Sequence, residues 1–270
     1  MTVLKFLLLG ILTAFLFPPY MMLPLGFIIF PYLHMQLLKL DESQYKIKYF
    51  IIGFVFGLGF LSLFLFWIVN PFLVYEATAK YAILSLLLPL FLSIIFGISF
   101  ILFKYIKNSF LKIISIPIIL VFIEILISNL FYGFPWITFS LIFSDNIVGL
   151  YLIKYFGTYF TSFLVLSIYM IPSLIIYRKK VNYIYKISTL FFILSIILFV
   201  IIVNMLVKTD KVKNNPKTVL IELFQLNNPV NIVETKYSEE IYNSIIKSIN
   251  ESNAEILIFA ENNYPYLVDN

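Results

Sequence analysis

Long stretches without charge constrain this chain more than any other feature of its sequence. Of its 270 residues, 61% are hydrophobic and only 12% are charged, against roughly 25% charged residues in soluble domains. A helix needs about 20 mostly apolar residues to cross the hydrocarbon core of a bilayer. Seven stretches meet or approach that length: residues 4–17, 20–38, 50–69, 81–106, 113–131, 147–177 and 183–207. We therefore predict a polytopic α-helical membrane domain over residues 1–207, with about seven transmembrane helices.

The loops between these stretches predict the orientation of the chain. Basic residues occupy every second loop: Lys39, Lys46 and Lys48, then Lys104, Lys107 and Lys112, then Arg178, Lys179, Lys180 and Lys186. The intervening loops hold only Glu76, Lys80 and Asp145. Because Lys and Arg stay on the cytoplasmic side, we expect a cytoplasmic N-terminus and a non-cytoplasmic region after residue 207. The first stretch could also be a signal peptide, but no small-residue cleavage site follows it.

The composition changes after residue 207. Residues 1–207 carry a formal charge of +8, and residues 208–270 carry −3. We predict a polar linker over 208–217, followed by a buried strand at 218–225, an amphipathic helix at 235–251 and a second buried strand at 254–260. This order is typical of a βαβ unit with parallel strands and a right-handed crossover. Glu261 follows the second strand, where ligands of open α/β sheets bind, so it is a candidate general base or acid, or alternatively a helix N-cap or a solvated turn residue.

The residue inventory excludes several kinds of site. There is no cysteine, and His34 is the single histidine. Near the cytosolic end of the second stretch, His34 is predicted to be an interfacial side chain, neither a catalytic residue nor a metal ligand. We find no phosphate-binding loop, no dinucleotide fingerprint and no paired metal ligands. We therefore expect no metal, no cofactor and no nucleic-acid partner.

A set of short motifs, in order along the chain, resembles the apolipoprotein N-acyltransferases of the bacterial inner membrane. The motifs are Phe17-Pro18-Pro19, Pro24-Leu25-Gly26, residues 53–60 with Trp67, Glu124 with Gly133-Phe134-Pro135-Trp136, residues 155–163, Gln225-Leu226-Asn227, and residues 258–261 with Pro265. The segment at 133–136 is the most specific of them. Two positions depart from the family pattern, because Ile127 stands where the family has arginine and Ala260 where it has proline.

The resemblance implies a multi-pass membrane domain that carries a nitrilase-like (carbon–nitrogen hydrolase) domain in the periplasm, begun here by residues 218–270. The implied reaction moves an acyl chain from a phospholipid to the N-terminal diacylglyceryl-cysteine amine of an apolipoprotein, the last step of lipoprotein maturation. Glu261 would be the general base. The family's catalytic lysine, its cysteine nucleophile and its last transmembrane helix would lie downstream, so we expect a truncated chain that is inactive alone.

Phe134, Trp136 and Glu124 are candidates for the lipid-entry region. Trp136 could shape the opening for lipid, or it could be an ordinary interfacial aromatic residue. Intramembrane carboxylates are costly and often functional. For Glu124 we favour a structural role, with a hydrogen bond to Asn129, to Ser or Tyr of a neighbouring span, or to backbone near Gly133.

Two rival hypotheses belong to other functional classes. A secondary transporter would use Glu124 as a proton or cation site, although the spans show no inverted repeat. A membrane-anchored binding protein would use a degenerate nitrilase-like tail to recruit a partner.

The predicted orientation can be tested with reporter fusions at Ser144 and Lys180. We expect a periplasm-specific reporter to be active at Ser144 and inactive at Lys180, because the lysine-rich loop stays inside. Reporter activity at Lys180 would overturn the orientation.

Overall fold

The computed structural model describes residues 2–40, 45–107, 109–130, 133–173, 194, 197–199, 201–202, 204–205, 219–225 and 235–259. The chain divides into two compact units, Met1–Val212 and Lys213–Asn270. The predicted linker at 208–217 lies outside the described residues, so the boundaries at 207 and 217 stay predictions.

Apolar helices build the first unit. They are α1 (Thr2–Ala14), α2 (Gly26–Leu38), α3 (Lys46–Phe64), α4 (Leu87–Phe100), α5 (Ser109–Asn129) and α6 (Ile147–Tyr169). Short pieces join them: 3₁₀ turns at Leu23–Leu25, Phe66–Val69, Ala82–Leu86 and Phe139–Phe143, and one-turn helices at Asn70–Leu73, Glu76–Ala79 and Leu102–Tyr105.

Three of the described helical segments are long and apolar enough to cross a membrane, namely Lys46–Phe64, Ala82–Tyr105 and Ile147–Tyr169. Three further apolar helices, Val3–Ala14, Leu23–Leu38 and Ile114–Asn129, are shorter. Each of the first six predicted stretches overlaps one of these helices. The seventh, at 183–207, lies mostly outside the described residues, so the count of seven spans stays a prediction.

Glycines let the helices of the first unit approach one another closely. A Cβ atom on Gly10 of α1 would lie 2.1 Å from the carbonyl oxygen of Phe56, and one on Gly59 of α3 would lie 2.2 Å from that of Leu7. On another face of α3, a Cβ on Gly53 or Gly57 would meet phenylalanine side chains of α4. Small residues at such contacts are typical of helix packing in membranes, where van der Waals contact drives association.

The first unit has two chemically different ends. The segments that follow α1, α3 and α5 meet at one end, where both tryptophans of the chain lie; we call it the tryptophan end. The α2–α3 and α4–α5 connections, which contain lysines, lie at the opposite end, and we call it the lysine end.

His34 joins three helical segments at the lysine end. Its Nε2 lies 2.8 Å from the carbonyl oxygen of Lys112, and its Nδ1 lies 2.5 Å from the hydroxyl of Ser173. A carbonyl only accepts, so Nε2 carries the hydrogen, and in the neutral ring Nδ1 accepts from Ser173. The imidazole is fully buried, which corrects the expectation of an interfacial side chain, because sequence alone did not reveal these partners.

The second unit contains two strands and a helix. The strands β1 (Ile221–Phe224) and β2 (Ile256–Phe259) pair in parallel, with Ile221 opposite Ile256, and α7 (Thr235–Glu251) lies between them in the chain. The predicted parallel pairing is confirmed. Ile241 and Ile245 of α7 are buried. No residue of β1 or β2 is buried, and alternate residues of both strands are exposed, so the prediction of two buried strands is wrong, because the described residues of this unit do not cover both faces of the pair. The nitrilase-like assignment and the crossover hand stay predictions.

Replacement of Gly59 by alanine tests the close contact of α1 with α3. The new methyl group would overlap the backbone at Leu7, so we expect a loss of about 1–3 kcal/mol of stability, as for other overpacked sites. Thermal unfolding in detergent would measure it. Ile51→Ala, on the exposed side of the same helix, is the control; an equal effect of the two changes would contradict the packing argument.

Candidate functional site

Three parallel aromatic rings lie at the tryptophan end. The rings of Phe134 and Trp136 have centroids 5.6 Å apart and planes inclined by 12°. Trp136 in turn stacks on Trp67 of the Phe66–Val69 turn, at 4.4 Å and 15°. Trp136 is 50% exposed and Trp67 is 39% exposed. Partly exposed indoles are characteristic of the boundary between hydrocarbon and headgroups, and this stack links the segment after α3 with the segment after α5.

The turn after α5 sets the direction of the segment that carries Phe134 and Trp136. Gly133 has a φ of +81°, a conformation that favours glycine. Its N–H donates to the carbonyl of Leu130, and the N–H of Phe134 donates to that of Ile127 at 3.1 Å. A Cβ atom at position 133 would lie 2.6 Å from the carbonyl oxygen of Ser128. Glycine is therefore required at the first position of this motif.

Glu124 lies one to two turns inside α5 from this segment and is completely buried. Its Oε2 accepts from the N–H of Phe139 at 3.2 Å, and its Oε1 accepts from the hydroxyl of Ser162, on α6, at 3.1 Å. The hydroxyl oxygen of Ser162 also accepts from the N–H of Ser140 at 2.8 Å. We call Glu124, Ser162 and these two backbone N–H groups the carboxylate network.

The carboxylate network accepts hydrogen bonds from the first two N–H groups of the Phe139–Phe143 turn. The first N–H groups of any helix lack partners inside the helix, and in an apolar interior an unpaired N–H is costly. Glu124 and Ser162 supply the two missing acceptors from two different helices. Because Phe139 comes three residues after Trp136, the network also fixes the end of the segment that carries the aromatic stack.

Apolar cavities lie near the turn that carries Trp67, and Phe66 and Val69 of that turn line one of them. A cavity of about 260 Å³ lies between the end of α3 with the following turn and the segment before α4. A wider groove of about 670 Å³ adjoins it and is bounded by α1, α3 and the start of α4. Both include Ser62, Ile83 and Leu86 in their walls, and both are lined mainly by aliphatic side chains. Such surfaces accommodate hydrocarbon and exclude charged groups.

The structure brings the predicted residues Phe134, Trp136 and Glu124 into one neighbourhood. Of the partners considered for Glu124, a serine of a neighbouring span is the one observed, with the backbone of Phe139 as a further partner. Asn129 instead donates to the carbonyl of Ile125. The predicted base, Glu261, lies outside the described residues, and its role stays a prediction.

Two residues of this region were missed as candidates from the sequence. Trp67 and Ser162 were recognised only as parts of motifs, and nothing in the spacing indicated that they contact Trp136 and Glu124. The available signal for Trp67 was that this tryptophan belongs to the same ordered set of motifs as the 133–136 segment. Among the described residues, no group of three or more His, Asp or Glu side chains could hold a metal ion.

Replacement of Glu124 tests whether the carboxylate network positions the aromatic stack. Alanine removes both acceptors, so we expect a loss of about 1–3 kcal/mol and a displaced Trp136. Glutamine keeps one acceptor and should have a smaller effect. Because the chain has only two tryptophans and they are stacked, their exciton signal in near-ultraviolet circular dichroism reports the geometry directly.

The exposed Glu76→Ala is the matched control, and far-ultraviolet circular dichroism verifies that each variant retains its helices. An unchanged exciton signal in folded Glu124→Ala would show that the stack does not depend on the network.

Comparisons with known proteins agree with these observations. The family model of the apolipoprotein N-acyltransferase N-terminal domain matches residues 9–171, more than half of the chain. The matched range contains α2 to α6, the last six residues of α1, the aromatic stack and the carboxylate network. Comparison with curated proteins found no match to the chain. The family match rests on more than half of the sequence, and the chain belongs to the apolipoprotein N-acyltransferase family.

Proposed function

We propose that the tryptophan end of the first unit is the lipid-entry region of an apolipoprotein N-acyltransferase. The acyl donor is a phospholipid, and the acceptor is the amine of the N-terminal diacylglyceryl-cysteine of an apolipoprotein. The observation that carries the proposal is the partly exposed aromatic stack on the Phe66–Val69 turn, in a domain of this family. Phe66 and Val69 of the same turn line an apolar cavity. In this proposal the chain crosses the bacterial inner membrane several times, with a cytoplasmic N-terminus and a periplasmic C-terminal region.

The chemistry of the cavity walls supports hydrocarbon as the occupant. Both substrates carry long acyl chains, and each buried methylene contributes about 0.8 kcal/mol when it leaves water. The indoles of Trp67 and Trp136 combine an apolar ring with one N–H donor, which suits the level where an acyl chain joins its glycerol ester. We infer that acyl chains occupy the cavities while the ester groups lie near the stack.

The covalent steps require groups beyond the first unit. In the reaction that the family resemblance implies, a cysteine thiolate attacks the phospholipid ester, so that a thioester forms and a lysophospholipid leaves. The lipoprotein amine then attacks the thioester, which forms the amide and releases the thiol. We propose Glu261 as the base that takes the proton in these steps. These 270 residues contain no cysteine, so they cannot form the thioester.

The geometry of Glu124 favours this proposal over transport. Both of its carboxylate oxygens accept hydrogen bonds from groups held by helical elements, as expected for a structural residue. A membrane-anchored binding protein would use the same apolar cavities. It would differ from the proposed enzyme only in that it catalyses no acyl transfer.

A photo-crosslinking amino acid at position 136 tests the lipid-entry proposal. With the chain in vesicles, we expect benzoylphenylalanine in place of Trp136 to capture a diacylated lipopeptide, detected by mass spectrometry. The matched control is the same amino acid in place of Tyr105, a tyrosine that is 56% exposed at the lysine end. Equal capture at the two positions would contradict a specific entry region.

The same preparation should produce no triacylated lipopeptide from added phospholipid, because no thiol is present. Capture without turnover supports the proposal. Turnover by the purified chain would refute the assignment of the covalent step to a cysteine.

A further inference from the structure

Four helical segments converge at the lysine end around aromatic side chains. Tyr49 of α3 stacks on Phe103, with ring centroids 6.4 Å apart, and Phe103 meets the ring of His34 edge-on at 6.2 Å. His34 also holds the backbone of Lys112 at the start of α5. Tyr49, Phe103 and His34 are all buried. This centre brings the end of α2, the start of α3, the Leu102–Tyr105 helix and the start of α5 together.

Lysines occur in three of the segments that meet at this centre. They are Lys46 and Lys48 in the first turn of α3, Lys104 and Lys107 in and after the Leu102–Tyr105 helix, and Lys112 in α5. The ammonium group of Lys46 lies over the ring of Tyr105, at 5.4 Å from its centroid, so that a contact also joins two of the basic segments. We call these five residues the lysine cluster.

The described residues at this end carry no carboxylate within the segments that form the cluster. The described parts of these connections, residues 39–40, 45–48 and 101–112 without residue 108, include no Asp or Glu. Asp41 and Glu42 lie in the α2–α3 connection, outside the described residues. With Asp41 and Glu42 counted, and with Lys39 of the same connection added to the five lysines, the two connections carry an excess of four positive charges.

We propose that the lysine cluster binds the phosphate headgroups of anionic glycerophospholipids. The cluster lies where apolar helices end, so a phosphodiester at the bilayer surface is at the right depth while its acyl chains stay beside the helices. Basic clusters between helix ends on the cytoplasmic side are suited to such lipids. This site lies at the opposite end of the unit from the aromatic stack and does not depend on the acyl-transfer proposal.

The expected strength follows from the contribution of each lysine. A lysine near an anionic membrane surface contributes about 1 kcal/mol, which corresponds to about a fivefold change in affinity. Removal of two lysines should therefore weaken binding roughly 25-fold. Lys46 and Lys107 are exposed, so their replacement by glutamine should leave the buried aromatic centre intact.

Native mass spectrometry of the whole chain tests the proposal. The protein is equilibrated in micelles with phosphatidylglycerol or phosphatidylcholine, and the lipid that stays bound is titrated. We expect preferential retention of phosphatidylglycerol, and a roughly 25-fold weaker apparent affinity in the double variant Lys46→Gln/Lys107→Gln. The matched control is Lys80→Gln/Lys154→Gln, which removes two lysines that, like Lys46, lie over tyrosine rings but belong to other segments.

The possible outcomes distinguish a bound lipid headgroup from a bound free phosphate and from a non-specific effect of charge. Loss of phosphatidylglycerol in the first double variant alone supports the site, and equal loss in both variants shows a non-specific charge effect and overturns it. Added glycerol phosphate that displaces the lipid at millimolar concentration would show that a free phosphate is bound instead. Equal retention of phosphatidylcholine and phosphatidylglycerol would also overturn the proposal.

Discussion

The hydrogen bonds of one buried carboxylate hold together the part of this protein where the candidate site lies. Glu124 is surrounded by apolar helices, and a carboxylate there is tolerated only when donors satisfy it. The donors come from α6 and from the backbone that starts the Phe139–Phe143 turn. Glu124 thereby satisfies the N–H of Phe139, and Ser162 accepts from the N–H of Ser140, two groups that would otherwise be unpaired in an apolar interior. Glu124 and the Phe139–Phe143 turn therefore depend on each other. The 133–136 segment lies in the chain between α5 and this turn, so both of its ends are held.

Glycine and phenylalanine residues together determine how the helices of the first unit pack. Helices in hydrocarbon gain little from burying apolar side chains, so contact area and close approach determine which faces meet. At α3, Gly53 and Gly57 meet phenylalanines of α4, and Gly59 meets the backbone of α1. Phe139 then packs against Phe17 and Phe60, which joins the turn held by Glu124 to the ends of α1 and α3. The carboxylate network and these phenylalanine contacts thus both hold the Phe139–Phe143 turn in place.

Sequence could predict the elements of this fold better than their contacts. The apolar stretches located the helices, and the short β-branched segments located the two parallel strands, because length and composition determine these features. Breaks were not predicted. Gly157 interrupts α6 with φ +76° and ψ 172°, and 3₁₀ geometry precedes α4, although both lie within continuous apolar sequence. When every face of a helix is apolar, periodicity does not indicate which face contacts protein and which contacts lipid.

The candidate site illustrates the same limit. The motif at 133–136 could be identified through the family resemblance, and Glu124 because a carboxylate is unusual within an apolar stretch. Ser162 and Trp67 could not, since serine is common in these helices and the contact of Trp67 with Trp136 joins residues far apart in the chain. The burial of His34 was missed for a related reason, because its partners Lys112 and Ser173 come from helices whose arrangement the sequence does not contain.

Position 127, where the family resemblance implies an arginine, holds an isoleucine, and the structure gives a physical reason why isoleucine fits there. Ile127 is 1% exposed, so a guanidinium at that position would be buried as well. Burial of a charge pair in an apolar medium carries a desolvation penalty that its attraction repays only with excellent geometry. Here Glu124 uses a hydroxyl and a backbone N–H, which bring no second charge into the interior. The hydrogen bonds of the carboxylate are therefore satisfied without an arginine, and the isoleucine contributes apolar packing in its place.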